Sequence, residues 1–120
     1  MKLRTDPRHI KRIKIMQSLF TFNFLPQKHP GKIEEIILNL KKIDKLIQAS
    51  APGRPISEIN RIDLSILRLA VFELIIKRGE PPKVIIDEAV ELGKEFGSDS
   101  SASFINGALG AVVKLKKIRT

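Results

Sequence analysis

The residues that could do chemistry are few and unevenly placed. The stretch from Glu80 to Asp99 holds Glu80, Asp87, Glu88, Glu91, Glu95 and Asp99 against Lys83 and Lys94. Within it Asp87 or Glu88, Glu91 and Glu95 recur at helical spacing, which reads as a solvated carboxylate face rather than an acid–base pair. Glu73 stands between Phe72 and Leu74 in an otherwise apolar run. A carboxylate there needs a wet edge or a partner, because burial without one is costly. An internal salt bridge to Lys77, one turn on, and a partner-facing role fit the spacing equally well. His9 and His29 are far apart and in no metal or catalytic motif. Ser98, Ser100, Ser101 and Ser103 have no histidine near in sequence and read as linker and cap residues. There is no cysteine, so disulfides, zinc–thiolate sites and thiol nucleophiles are excluded. The chain contains no Gly-rich phosphate loop, and neither a cofactor nor a catalytic activity is expected.

Binding chemistry is better represented. The net charge of +9 favours a polyanionic partner. It is concentrated in Met1 to Lys14, with Lys2, Arg4, Arg8, Lys11, Arg12 and Lys14 against Asp6, and in a tail with Lys114, Lys116, Lys117 and Arg119. A basic first helix of this kind can neutralise phosphates and release their counterions. Phe20, Phe22 and Phe24 alternate near its end. Phe20 and Phe24 read as core, whereas Phe22 falls off the main stripe and is open to either a core or a base-stacking role.

These groups must be carried by helices. A chain of 120 residues with 42% hydrophobic residues is one domain with a genuine core. No apolar run approaches the roughly 18 residues of a membrane span. The N-terminus lacks a signal-peptide core, so the chain is expected in the cytoplasm. Five helical segments and no strand are predicted, an all-α fold. The first starts at an Asp6 N-cap and Pro7, with Ile10, Ile13, Met16, Phe20 and Phe24 as its apolar face. The second runs from about Lys32 to Gln48. After the APGRP break and a short turn at Ile56 to Asn60, a long helix from about Asp63 to Arg78 is apolar almost all round and should be the most buried. Gly79 is its expected stop. Pro81 and Pro82 open the fourth, which runs from about Lys83 to Phe96, and the fifth runs from about Ser101 to Lys117. Gly107 and Gly110 in the fifth suggest close backbone approach to a neighbouring helix.

The segment Ile62 to Lys114 resembles the C-terminal part of the NusB family: IDLSILRLAVFEL, then PPKVIIDEAVELGKEFG, then SFINGALGAVV, in the family's order and spacing. The start, PRHIKRIKIMQSLFTF, is similar to the family's arginine-rich first helix. The resemblance implies a helical bundle of two small packed subdomains, residues 1–50 and 56–117. It implies an antitermination factor that binds boxA-type single-stranded RNA with NusE, a small-subunit ribosomal protein, within the RNA polymerase antitermination complex. Carried onto this sequence, Arg8, His9 and Arg12, flanked by Arg4 and Lys11, match the RNA-contacting region. Glu73 and Phe104 match the NusE-facing surface, with Ser100 standing where the family commonly has an acid. Asn106 and Gly107 match a pair taken as structural. The family's usual additional helix between Phe24 and Ile33 is missing, and its tyrosines are Phe20 and Phe72 here. Other functions compatible with the same residues are an accessory domain related to rRNA cytosine methyltransferases, a DNA-binding helical protein, and a protein-interaction or homodimer module.

Overall fold

The computed structural model describes residues 6–27 and 31–119. Its elements are α1 (Pro7–Phe22), a 3₁₀ turn (Gly31–Ile33), α2 (Glu34–Leu38), α3 (Leu40–Ser50), a second 3₁₀ turn (Ile56–Glu58), α4 (Arg61–Phe72) continuing into a π turn (Glu73–Lys77), α5 (Pro82–Phe96) and α6 (Ser101–Leu115). Among the described residues there is no strand, and no helix is long and apolar enough to cross a membrane. The all-α expectation is met.

The ends of the elements follow local chemistry. Asp6 caps α1 by accepting from the Arg8 backbone N–H at 2.9 Å. That bond, helped by the Arg8 charge, holds the Asp6 carboxyl below its ordinary range. Asn60 caps α4, accepting from the N–H groups of Ile62 at 2.8 Å and Asp63 at 3.3 Å, so this helix starts two residues before the expected Asp63. The expected second helix is broken at Asn39. Its side-chain amide donates to the Glu35 carbonyl at 2.8 Å, one of the carbonyls the helix would otherwise have satisfied. The long helix does not stop on Gly79. Its last turn widens, Arg78 N–H reaching back to Glu73 O at 2.8 Å, and Arg78 itself takes the left-handed conformation at φ 53°.

α4 is the axis of the core. Every residue from Asp63 to Phe72 is buried, and so are Glu73 and Leu74 in the turn that follows. One continuous apolar cluster joins it to Met16 and Leu19 of α1, Ile43 and Ile47 of α3, Leu92 of α5, and Ile105 and Leu109 of α6. Arg68, a polar member of the same helix, is held by a bidentate fork to Asp44 of α3 at 2.9 Å for each bond, with Asn23 accepting a third bond at 3.1 Å. This pairing satisfies a guanidinium that would otherwise be expensive to bury.

Two expectations are corrected here. Of the face expected for α1, Met16 is buried and Ile13 packs against the core, but the helix's other buried residues are His9, Arg12 and Leu19 rather than Ile10, Phe20 and Phe24. Ile10 is exposed, and Phe24 is 60% exposed with its ring edge-on to Phe20 at 5.1 Å. Phe22, left open by its position, packs against the core. Hydrophobic spacing ranks Ile above Arg for burial, but it does not register that a paired Arg can be buried. The close helix approach is also displaced. A Cβ on Gly107 or Gly110 would meet nothing within 4 Å, whereas one on Gly93 would lie 2.9 Å from Ile105 and one on Gly97 2.3 Å from the Ser101 hydroxyl. The glycines that let helices meet are therefore on α5 and at its end, facing the start of α6.

Candidate nucleic-acid interface

The site begins with the cations that the rotation of α1 turns inward. Arg12 is 6% exposed. Its Nε donates to Glu73 Oε2 at 2.9 Å and its Nη2 to Glu73 Oε1 at 2.7 Å, a two-pronged fork onto the first residue of the π turn. Nη2 also reaches Glu80, and Nη1 donates to Glu88 Oε1 at 3.3 Å. Burial alone would lower the Arg12 pKa. The hydrogen bonds and charge of Glu73, followed by those of Glu80, outweigh it and hold the pKa above the ordinary value. One turn earlier, His9 lies between two carboxylates, with Nδ1 3.3 Å from Glu88 Oε1 and Nε2 2.9 Å from Glu95 Oε1. Glu88 is 2% exposed. Asp87 and Glu91 keep to the accessible side that their spacing suggests, but Glu88 is turned inward. Glu88 and Glu95, two turns apart, aim at His9.

This ionic seam ties α1 to the end of α4 and to α5. It also decides what α1 presents outward. Lys11 and Lys14 face away from it, and the Arg8 side chain, 72% accessible, lies at its outer edge, 3.7 Å from Asp6 and 3.5 Å from Glu80. Arg8 and Lys11 line a cleft of about 440 Å³ that Lys32 and Lys77 share, over an apolar floor of Ile15, Ile36, Leu69 and Phe72. Lys11, Ile15 and Lys32 also border a shallower hollow with Pro7, Ile10 and Lys14. The two form one groove along α1, apolar beneath and with cations in excess at its rim, where Glu35 and Glu80 also stand. Cations at a rim and an apolar floor are the features with which proteins hold a phosphate chain and stack its bases.

The expected site residues fall into separate groups. Arg4 lies outside the described residues. Arg8 and Lys11 are on the groove. His9 is buried behind it, and Arg12, though buried, stands in the cleft wall; the polar atoms of both are engaged by carboxylates, so they support the surface more than they present it. Glu73 is in an internal ion pair, but with Arg12 rather than Lys77. Phe104 and Ser100 are not brought to Glu73. Phe104 lies on α6 beneath the Arg54 guanidinium, 4.1 Å from its ring centroid, and Ser100 is exposed just before α6, near Ser98 Oγ at 3.4 Å. Asn106 and Gly107 are exposed, with open space around the glycine. Lys32 and Arg68 were not singled out by sequence, and Lys77, Glu80 and Glu88 were named there without a place in the groove or the seam. The signal that could have found the seam is a pair of basic side chains three apart on α1, matched by two carboxylates seven apart on α5.

Fold and site together define an all-α protein in which a buried ionic seam sets a cationic helix over an apolar cleft. Residues 32–114 match the NusB family model. The chain belongs to the NusB family. It is 49% identical over 73 residues to the transcription antitermination protein NusB of Chloroflexus aggregans, covering 59% of this chain and 49% of that one. It is 38% identical over 104 residues to the NusB of Lachnoclostridium phytofermentans, covering 81% and 79%. The chain spans about half the length of relatives of the first kind. Its fold superimposes on T. maritima NusB with a TM-score of 0.80 at 28% identity, covering 91% of this chain and 92% of the other. The family match begins at Lys32, so α1 and its cations lie outside it.

Proposed function

We propose that this chain is a cytoplasmic transcription antitermination factor, binding boxA-type single-stranded RNA together with the ribosomal protein NusE in the antitermination complex of RNA polymerase. The observation that carries this reading is the α1 groove. In a family whose named relatives are antitermination proteins, the outward face of α1 joins Lys32 and Lys77 in a cationic rim over an apolar floor. Arg8, Lys11 and Lys14 are assigned phosphate contacts. His9 and Arg12 act as positioning residues, holding α1 so that those three face out. On the protein side, Ser100 and the accessible edge of Phe104 are assigned to NusE, and Glu73 acts through Arg12.

The test is RNA binding by fluorescence anisotropy, with boxA and scrambled single-stranded RNA, with and without NusE. Tighter binding of boxA, strengthened by NusE, is the expected result. Equal affinity for both RNAs in both conditions would remove the antitermination reading. Arg8→Gln with Lys11→Gln should lower the salt slope of RNA binding by about 0.7 for each phosphate that is no longer neutralised. An unchanged slope places the RNA elsewhere on the molecule.

A further inference from the structure

A second cationic cleft, of about 510 Å³, opens where the π turn after α4 meets the end of α6. Arg78, Lys116, Lys117 and Arg119 line it, with Ile85 and Ile118 among its apolar walls. We propose that this cleft is a continuation of the RNA track, taking sugar–phosphate backbone that has passed along the α1 groove. The inference rests on the RNA reading above and extends it to a surface the α1 helix does not reach.

Four observations support it. First, among the described residues, none of these four cations has a carboxylate in ion-pair contact, whereas Arg8, Arg12 and Arg68 all do. Glu80 is the acid on the cleft wall, and it is already engaged by Arg12 and Arg8. Second, Arg78 at φ 53° and Lys117 at φ 52° are the non-glycine residues with left-handed backbone among those described, and both line this cleft. Glycine is the usual residue at such helix stops because it has no Cβ to clash. A cation at both stops keeps charge where the backbone favours glycine. Helix macrodipoles favour one cation at each C-terminus, but that does not explain two helix ends placing their cations around one opening. Third, the tail is anchored. Ile118 N–H reaches back to Val113 O at 2.9 Å, and its side chain packs on the core, which sets Lys116, Lys117 and Arg119 around the opening. Fourth, the two clefts are contiguous. Glu80 lines both, and Lys77 of the first precedes Arg78 of the second. An RNA strand leaving the α1 groove past Glu80 meets these cations next, and this contiguity favours RNA over an acidic protein as the occupant.

The test uses the full chain with Lys116→Gln, Arg119→Gln, Arg78→Asn and Lys117→Asn combined. Asn is chosen at the last two because it tolerates the left-handed conformation, and a thermal melt matching the parent's confirms the fold. Binding is measured against salt for single-stranded boxA-containing RNAs stepped in length from about 4 to about 16 nucleotides, the ordinary range of single-strand sites. The expected result is a length-dependent loss: the parent's salt slope for the shortest RNA that it binds, and for the longest a slope lower by about 0.7 for each phosphate that the variant leaves unneutralised. A parent-like slope at every length overturns the proposal. If Arg8→Gln with Lys11→Gln still weakens binding in that case, the α1 reading stands alone. If the parent itself binds no RNA, both fall. An unchanged RNA slope with weakened binding of polyglutamate would give the cleft to an acidic protein and likewise overturn it.

Discussion

α1 and α6 both pack against α4 and α5, by opposite means. α6 meets α5 through small and apolar groups, with Gly93 and Gly97 making room for Ile105 and Ser101. α1 reaches α5 and the end of α4 through charge, His9 and Arg12 against Glu73, Glu80, Glu88 and Glu95. An apolar seam is specified by volume and tolerates modest rotation of a helix about its axis. A buried ionic seam does not, because each group must keep its partner or be left charged in a dry place. The seam that fixes the rotation of α1 is the one behind the proposed RNA surface, so the proposal couples stability to RNA binding at α1 and separates them at the crossing of α5 with the start of α6.

The strongest challenge to this contrast is Arg12→Ala. It leaves Glu73 buried with its cation gone and takes one partner from Glu88, and should cost about 3–5 kcal/mol of unfolding free energy in urea titration. A loss under about 1 kcal/mol, the size of an exposed pair, would mean that the seam is wet. The same change should lower RNA affinity although Arg12 touches no RNA in the proposal. On the apolar side, Gly97→Ala places a methyl against the Ser101 side chain and 2.8 Å from the Gly93 carbonyl. It should cost about 1–3 kcal/mol by overpacking and leave the affinity of the folded protein for RNA near the parent's. Equal damage to RNA binding would break the separation of the two seams. Gly107→Ala has the opposite sign. With open space around the site and no left-handed backbone there, replacing a helical glycine should stabilise the chain by about 0.5–1 kcal/mol, read as a rise in Tm. A fall would reveal packing at Gly107 that the structure does not show.

The smallest effect is at the start of α1. The Asp6 carboxyl is held below its ordinary range, so its contribution to stability is present above the unfolded value, about 3.9, and is lost as pH falls through the lower folded value. Asp6→Asn keeps an N-cap acceptor and removes that titration. The acid limb of the stability profile should flatten slightly, in thermal melts between about pH 5 and about pH 2. Arg12 works in the reverse direction. Its pKa is raised, so its contribution is complete at low and neutral pH and is lost only as pH rises past the arginine range. An unchanged acid limb in Asp6→Asn would mean that the cap carboxyl adds nothing to the acid sensitivity of the fold.

Much of this protein could be read along the chain because the relevant causes are local. Asp6 with Pro7, the APGRP break and Pro82 set where helices begin or end, and the apolar run of α4 required the most buried position. The ordered motifs from Ile62 to Lys114 carried the family. Other features depended on contacts between distant segments. Glu73 had an internal partner, one of the two roles that its isolation in an apolar helix left open, but that partner was 61 residues away rather than one turn on. Glu88 looked solvated until His9, 79 residues before it, was placed against it. Gly93 and Gly97, not Gly107 and Gly110, proved to be where helices meet, because only the crossing of α5 and α6 determines which glycine has a neighbour. Hydrophobic periodicity measures the preference of each side chain for water. Whether an arginine or a glutamate is buried depends on what faces it, and that is decided when the helices pack.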